Sequence, residues 1–250
     1  ADWVAPDDEV PGSTPARPPD AASGISFTSR AAPGLDFEVY LPAERQGAAA
    51  DHAVRALELV AELEDQLTIY RDDSELALVN ASAAQQPVAV ESQLFQLLAR
   101  AAELHRLTGG AFDVTTGRLN QLWRDARRAK QLPDERDIAD VLSAAHPAAL
   151  QLESTDHTVR FGDDRIQLDL GAIGKGYAID RVAAQLDAAE IPDFLIHGGG
   201  SSVCARGLPS SAPSNRAGWS VGVRHPLFPE RRLAEIRLRD QALSTSGAET

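Results

Sequence analysis

A glycine-rich loop with one lysine lies between an apolar stretch and a helical pattern in residues 167–181, QLDLGAIGKGYAIDR. A strand that leads into a glycine turn at a helix N-terminus exposes backbone N–H groups, and Lys175 adds a positive charge beside them. The loop is not a P-loop, because Asp169 replaces its first glycine and Gly176 replaces the Ser or Thr after the lysine. It is not the dinucleotide fingerprint either, since Ile179 occupies the position of the third glycine. Two interpretations stay open: an anion-binding site, and an ordinary glycine turn with a solvated lysine.

Asp113 and Asp169 are isolated acids in apolar surroundings. Asp113 follows Ala111 and Phe112 in the segment TGGAFDVTTGRLNQLW, residues 108–123, where it could cap a helix or lie in a cleft. Asp169 ends a predicted apolar strand, where an unpaired carboxylate would be energetically costly. We therefore expect Asp169 to be paired and to belong to a site.

Charge and composition exclude several classes of partner. The 250 residues include 24 Lys and Arg against 37 Asp and Glu, a formal net charge of −13. This charge repels nucleic acid phosphates, and we find no cluster of bases that would offset it. The apolar runs, such as FLI at 194–196, are far shorter than the roughly 20 residues that span a bilayer. We expect no nucleic acid partner and no transmembrane span, and we interpret His197 and the single cysteine, Cys204, as structural.

Hydrophobic periodicity predicts a mixture of helices and strands after residue 24. Residues 1–24 contain five prolines and no hydrophobic period, which is typical of a disordered leader or linker. The patterns predict helices over 51–69, Ser92 to Leu107, 134–145 and the residues after the glycine loop. They predict strands over 36–42, 158–161, 166–170 and several segments after Pro192. With antiparallel strands late in the chain, the sequence predicts an α+β fold.

Five segments, taken in order, resemble the ApbE-like FAD:protein FMN transferases. They are YRDDSELALVN at 70–80, GGAFDVTTGRLNQLW at 109–123, LDLGAIGKGYAIDR at 168–181, GGG at 198–200 and ALSTSG at 242–247. The resemblance begins near residue 34 and runs to the end of the chain. It implies one large ApbE-like domain over 25–250, related to the T-fold, with mixed and antiparallel strands, flanking helices and an FAD cleft.

The resemblance also implies an activity and a set of site residues. The enzyme would depend on Mg²⁺, cleave the pyrophosphate of FAD, and transfer FMN to a Thr or Ser hydroxyl of an acceptor flavoprotein, releasing AMP. The residues that would bind FAD are Tyr70, Ala111, Phe112, Asp113, Asp169 and Lys175. Ala172 would contact the metal through its carbonyl oxygen, a ligand that suits a hard cation. The resemblance assigns no catalytic residue.

The sequence departs from the family pattern at three places. Pro33 replaces a methionine near the first strand, Gly198, Gly199 and Gly200 replace a GGD segment, and the chain ends at Thr250 before an HxxDPxTG segment. That last segment supplies the family's metal-binding Asp and Thr, so we expect residues 1–250 to bind FAD but to hold Mg²⁺ weakly and transfer FMN poorly.

Two alternatives to the transferase stay open: a non-catalytic flavin-nucleotide-binding module, and a metal-dependent FAD pyrophosphatase. The resemblance favours an extracytoplasmic location, periplasmic or membrane-tethered, and a cytoplasmic location is also open.

Overall fold

The computed structural model describes residues 24–32, 35–44, 47–144, 149–209, 218–225, 228 and 231–246. The helices are α1 (Ala48–Leu67), α2 (Glu75–Ser82), α3 (Ser92–Leu107), α4 (Gly117–Ala129), α5 (Glu135–Ala144) and α6 (Gly174–Ala188). The strands are β1 (Gly24–Ala32), β2 (Leu35–Pro42), β3 (Val88–Ala89), β4 (Leu150–Glu153), β5 (Thr158–Phe161), β6 (Phe194–Gly198), β7 (Ser202–Arg206), β8 (Trp219–Arg224), β9 (Arg232–Leu238) and β10 (Gln241–Ser244). Contacts divide the described residues into two compact units, the first within residues 24–29, 36–57 and 182–246 and the second within residues 30–35 and 58–181. The predicted α+β fold is confirmed.

The first unit contains a five-stranded sheet in the order β1-β2-β6-β7-β10 and a two-stranded ribbon of β8 and β9. The pairs β2–β6, β6–β7 and β7–β10 are antiparallel. Gly199 and Gly200 make the β6–β7 turn with φ of 57° and 68°, a left-handed conformation that favours glycine. Burial and Arg224 lower the pKa of His197 on β6, against an opposing effect of Glu38, so its imidazole is neutral. Cys204 is buried on β7, and both residues fit the structural role expected of them.

The second unit packs α2 and α3 with the three-stranded sheet β3-β5-β4 around one apolar core. The amphipathic face of α3 supplies core residues such as Leu94 and Leu98, and β5 supplies Val159. Ser74 is the N-cap of α2. Its hydroxyl accepts a hydrogen bond from the Ala77 N–H at 3.0 Å and donates to the Thr68 carbonyl at 2.6 Å. The N-terminus of α2 therefore anchors the preceding turn, residues 68–74.

Residues 166–170 are extended but form no strand, so that prediction is wrong. Ile166, Leu168 and Leu170 are all buried, which produced the strand-like pattern. The backbone of Leu168 makes its hydrogen bonds with the Asn80 side chain on α2 and not with a neighbouring strand. Asn80 Nδ2 donates to the Leu168 carbonyl at 3.0 Å, and Asn80 Oδ1 accepts from the Leu168 N–H at 2.7 Å.

A short backbone contact joins this extended segment to the loop before α4. Thr116 and Gln167 form an isolated parallel bridge. The Gly117 N–H donates to the Gln167 carbonyl at 2.8 Å, and the Asp169 N–H donates to the Val114 carbonyl at 2.9 Å. The contact brings residues 113–117 and 167–169 side by side.

Several helix predictions are confirmed within a few residues, and others were missed. The predicted helices over 51–69 and 134–145 correspond to α1 and α5, and α3 has the predicted bounds. Its N-cap is Glu91 rather than Ser92, because the Glu91 carboxylate accepts from the Gln93 N–H at 2.7 Å. Hydrophobic periodicity led to no prediction of α2 or α4. The predicted leader, residues 1–24, lies outside the described residues except for Gly24.

Within the described residues, no helix combines the length and apolar composition needed to cross a membrane.

Replacing Asn80 with Ala is expected to lower the free energy of unfolding by about 1–3 kcal/mol, because both backbone groups of the buried Leu168 lose their partners. Urea unfolding followed by circular dichroism measures the change. Gln86→Ala, which removes an exposed amide from the same region, is the control. Equal stability of the two variants would contradict the assigned role of Asn80.

Replacing Gly117 with Ala is expected to destabilise the protein by about 1–3 kcal/mol through overpacking. An added Cβ would lie 2.5 Å from the Gln167 carbonyl oxygen, which is backbone and cannot rotate away. Gly176→Ala is the matched control, because its Cβ would have no heavy atom within 4 Å. Thermal unfolding should rank the control at or above the unmodified protein, and a stable Gly117→Ala variant would show that the two segments separate freely.

Candidate functional site

All seven sequence-predicted site residues belong to the second unit. Tyr70 lies in the turn between α1 and α2, and Ala111, Phe112 and Asp113 lie between α3 and α4. Asp169, Ala172 and Lys175 lie in the extended segment, the glycine loop and the first turn of α6, respectively. Side chains of α4, a helix that was not predicted, contact two of these residues, Tyr70 and Asp169.

Asp169 is held by three donors. Its Oδ1 accepts from the Gly171 N–H at 2.9 Å, and its Oδ2 accepts from Asn120 Nδ2 at 3.0 Å and Arg124 Nη1 at 3.4 Å. The Asp169 side chain is only 12% exposed. The expectation that an acid at this position is paired is therefore confirmed, while its contact with FAD stays a prediction.

Arg124 connects Asp169 to Tyr70. The guanidinium carbon lies 5.8 Å from the centroid of the Tyr70 ring, within the range of a cation–π contact. Tyr70 is 75% exposed, so it is not part of the core. The Tyr70 N–H donates to Thr68 Oγ1 at 3.2 Å, and this bond orders the turn that carries the ring.

Asp113 caps a turn rather than a helix. Its Oδ1 accepts from both the N–H and the hydroxyl of Thr115, each at 2.7 Å. Its Oδ2 lies 3.5 Å from His105 Nδ1 on α3. Because α4 begins after Thr116, the helix-cap alternative is wrong. These contacts fix the carboxylate in the loop that precedes α4.

Ala111 and Phe112 differ in exposure. Ala111 is exposed, whereas Phe112 is half-buried against the core of the second unit, as are Ile173 and Tyr177. Burial and the nearby Glu91 raise the pKa of Tyr177, against the opposing charge of Arg181, so its hydroxyl stays protonated at neutral pH. Because Phe112, Ile173 and Tyr177 pack against the same core, they connect the loop of Phe112 to the start of α6.

Lys175 lies in the first turn of α6, where backbone N–H groups lack acceptors within the helix. The Leu170 carbonyl accepts from the Ile173 N–H at 3.0 Å and from the Gly174 N–H at 2.7 Å, which closes the glycine loop onto the helix. Cβ atoms added at Gly174 or Gly176 would meet no heavy atom within 4 Å apart from their chain neighbours and the nearby backbone of the same helix. The backbone on either side of Lys175 is thus open to a ligand, and the helix dipole favours an anionic one.

The described residues do not by themselves form a magnesium site. Among them, no group of three or more His, Cys, Asp or Glu side chains is placed to hold a metal ion. Ala172 is exposed and can offer only a neutral carbonyl oxygen, whereas Mg²⁺ sites use carboxylates and phosphates in an octahedral arrangement. The metal contact of Ala172 stays a prediction.

Sequence reasoning missed Asn120 and Arg124, which contact Asp169 from α4. A signal for α4 was present: Leu119, Leu122, Trp123 and Ala126 recur at helical spacing. Asn120 and Arg124 are four residues apart and therefore lie on one face of that helix.

Residues 34–250 match the ApbE family. The FAD:protein FMN transferase of Treponema pallidum is 34% identical over 200 residues, which cover 76% of this chain and 55% of that protein. The FAD:protein FMN transferase of Klebsiella pneumoniae is 30% identical over 196 residues, which cover 78% of this chain and 58% of that protein. The chain thus spans somewhat more than half the length of these curated relatives.

Solved structures share this fold. The crystal structure of the ApbE protein from Thermotoga maritima matches with a TM-score of 0.76 and 23% identity, covering 90% of this chain and 70% of that chain. The flavin transferase ApbE from Vibrio cholerae matches with a TM-score of 0.71 and 25% identity, covering 90% of this chain and 71% of that chain. From the match over residues 34–250, we conclude that the chain belongs to the ApbE family.

Proposed function

We propose that the protein to which this chain belongs is an FAD:protein FMN transferase that modifies a Thr or Ser hydroxyl of an acceptor flavoprotein. The observation that carries the proposal is the contact between two of the segments that resemble the family, residues 109–123 and 168–181. The Asp169 N–H donates to the Val114 carbonyl at 2.9 Å, and Asn120 Nδ2 donates to Asp169 Oδ2 at 3.0 Å. The side chains proposed to bind FAD come from these segments and from the turn that carries Tyr70.

The reaction is a phosphoryl-type transfer. The acceptor hydroxyl oxygen attacks the phosphorus of the FMN half of FAD and forms a new phosphoester bond. The bond from that phosphorus to the bridging oxygen breaks, AMP leaves with the bridging oxygen, and the hydroxyl proton is released. Charge grows on the phosphoryl oxygens and on AMP, so fixed positive charge near the pyrophosphate lowers the barrier.

The residues of the second unit fit this chemistry. We assign Lys175 and the positive end of the α6 dipole to the pyrophosphate, which needs a compensating positive charge. We assign Tyr70 to a planar ring of the nucleotide, because its own ring is exposed and flat. Asp113 and Asp169 are acceptors for N–H or O–H groups of FAD, and Ala111 and Phe112 supply backbone and apolar contacts beside them.

Magnesium dependence is part of the proposal and is carried by family membership. In this proposal the Ala172 carbonyl oxygen is one ligand of the ion. A metal-dependent FAD pyrophosphatase would use water in place of the acceptor hydroxyl, and a non-catalytic module would bind FAD without cleaving it.

Lys175→Ala is expected to weaken FAD binding by about ten- to a hundredfold, because a charge-assisted contact to the pyrophosphate is lost. Isothermal titration with FAD measures the effect. Lys130→Asn is the matched control: it removes a lysine from an exposed helix C-cap with a left-handed φ of 53°, which Asn tolerates. Unchanged FAD affinity and turnover in Lys175→Ala would contradict its assignment to the pyrophosphate.

The transferase is expected to release AMP only when an acceptor with an intact Thr or Ser is present, and to stop when EDTA removes the metal. A denaturing gel detects covalent flavin fluorescence on the acceptor, and chromatography quantifies AMP. An acceptor whose Thr or Ser is replaced by Ala is the control. AMP release without any acceptor would favour the pyrophosphatase, and FAD binding without AMP release under all conditions would favour the non-catalytic module.

A further inference from the structure

Arg124 connects two residues that are 99 positions apart in the sequence. Its guanidinium carbon lies 5.8 Å from the centroid of the Tyr70 ring, and its Nη1 lies 3.4 Å from Asp169 Oδ2. Neither family resemblance nor sequence reasoning assigned a role to Arg124. A single planar cation thus contacts both the aromatic ring and the carboxylate that we propose for FAD binding.

The orientation of this guanidinium is fixed from a third side. Gln121 Oε1 accepts from Arg124 Nε at 3.3 Å and from Nη2 at 3.0 Å. The Gln121 amide is oriented in turn, because its Nε2 donates to both carboxylate oxygens of Asp125 at 2.9 Å. The Arg124 side chain is 27% exposed. The side chain is therefore ordered by contacts that the protein makes without any ligand.

We propose that Arg124 is a positioning residue for FAD. It holds the Tyr70 ring and the Asp169 carboxylate in their binding arrangement before FAD arrives. The inference rests on the proposed function, because it requires the second unit to bind FAD. It deepens that function by naming a residue that acts through Tyr70 and Asp169.

Two physical effects support this role. The guanidinium lies over the Tyr70 ring, and the 75% exposure of that residue leaves ring surface for a planar ligand group. The ring and the carboxylate are ordered in advance, so FAD binding does not have to order them. A lysine would not substitute, because an ammonium lacks the planar fork that contacts a ring face, a carboxylate and an amide at once.

The first test compares substitutions of Arg124 in FAD titrations of the full chain. We expect R124Q to weaken FAD binding about tenfold and R124K about three- to tenfold, the range of a partly buried cation–π or charge-assisted contact. R128Q is the matched control: it removes the same charge from the same helix, and Arg128 is 76% exposed and pairs only weakly with Asp125 at 3.6 Å. R128Q should bind FAD within about twofold of the unmodified chain.

A second test separates positioning from general structural support. In double-mutant cycles, the effect of R124Q on FAD affinity should shrink in a Tyr70→Leu or an Asp169→Asn background, and fall below about twofold when both residues are replaced, because coupled residues are not additive. A merely structural role would lower thermal stability and leave the effects on FAD affinity per folded molecule independent. Thermal unfolding of each variant provides that comparison, and R124K keeps the test available if R124Q folds poorly.

Three outcomes would overturn the inference: R124Q binding FAD like the unmodified chain, R124K doing so, or fully independent effects in both cycles. If the unmodified chain binds no FAD, the proposed function fails and this inference fails with it. If it binds FAD and only the Arg124 variants contradict the expectation, the inference fails alone.

Discussion

A backbone contact between two loops determines where the candidate site residues lie. The Gly117 N–H reaches the Gln167 carbonyl at 2.8 Å, and the Asp169 N–H reaches the Val114 carbonyl at 2.9 Å. Glycine is required at position 117, because a Cβ there would lie 2.5 Å from the Gln167 carbonyl oxygen. Gly117 is also the first residue of α4, so the close approach sets the position of the helix that carries Asn120 and Arg124. The carboxylate of Asp169 and its donors are thereby brought together by main-chain geometry.

The second constraint is electrostatic. To bind FAD as proposed, a chain with a net charge of −13 must limit the repulsion between its own acids and the pyrophosphate. Asp169 is the acid closest in sequence to the glycine loop, and its charge is compensated by Asn120, Arg124 and the Gly171 N–H. Asp113 is compensated by both donors of Thr115. In the proposed complex, Lys175 would act on the pyrophosphate beside carboxylates that already accept hydrogen bonds from the protein.

The sequence could predict those parts of the fold that follow from periodicity. The apolar stripes of α1 and α3 and the alternation in β2 each reflect burial against one face, and each element was predicted within a few residues. Residues 166–170 show the limit of this approach. Ile166, Leu168 and Leu170 alternate as in a strand, but the backbone partner of Leu168 is the Asn80 side chain. A pattern of buried residues cannot tell whether a main chain or an amide side chain satisfies the backbone.

Only part of the candidate site could be proposed from the sequence, because some of its residues stand in recognisable motifs and others do not. Family motifs located Tyr70, Asp113, Asp169 and Lys175, because each stands in a distinctive local sequence. Arg124 stands in a strongly polar helix, where an arginine is ordinarily a solvated surface residue. Its importance arises only from tertiary structure, which places its guanidinium 5.8 Å from the Tyr70 ring centroid and 3.4 Å from Asp169. Tyr70 is exposed although an aromatic ring favours burial, and the Asp169 carboxylate is only 12% exposed although a carboxylate favours water. A planar cation can contact both groups, the ring through its face and the carboxylate through a hydrogen bond. The arginine thereby keeps the ring accessible to a ligand while the acid beside it stays hydrogen-bonded and ordered.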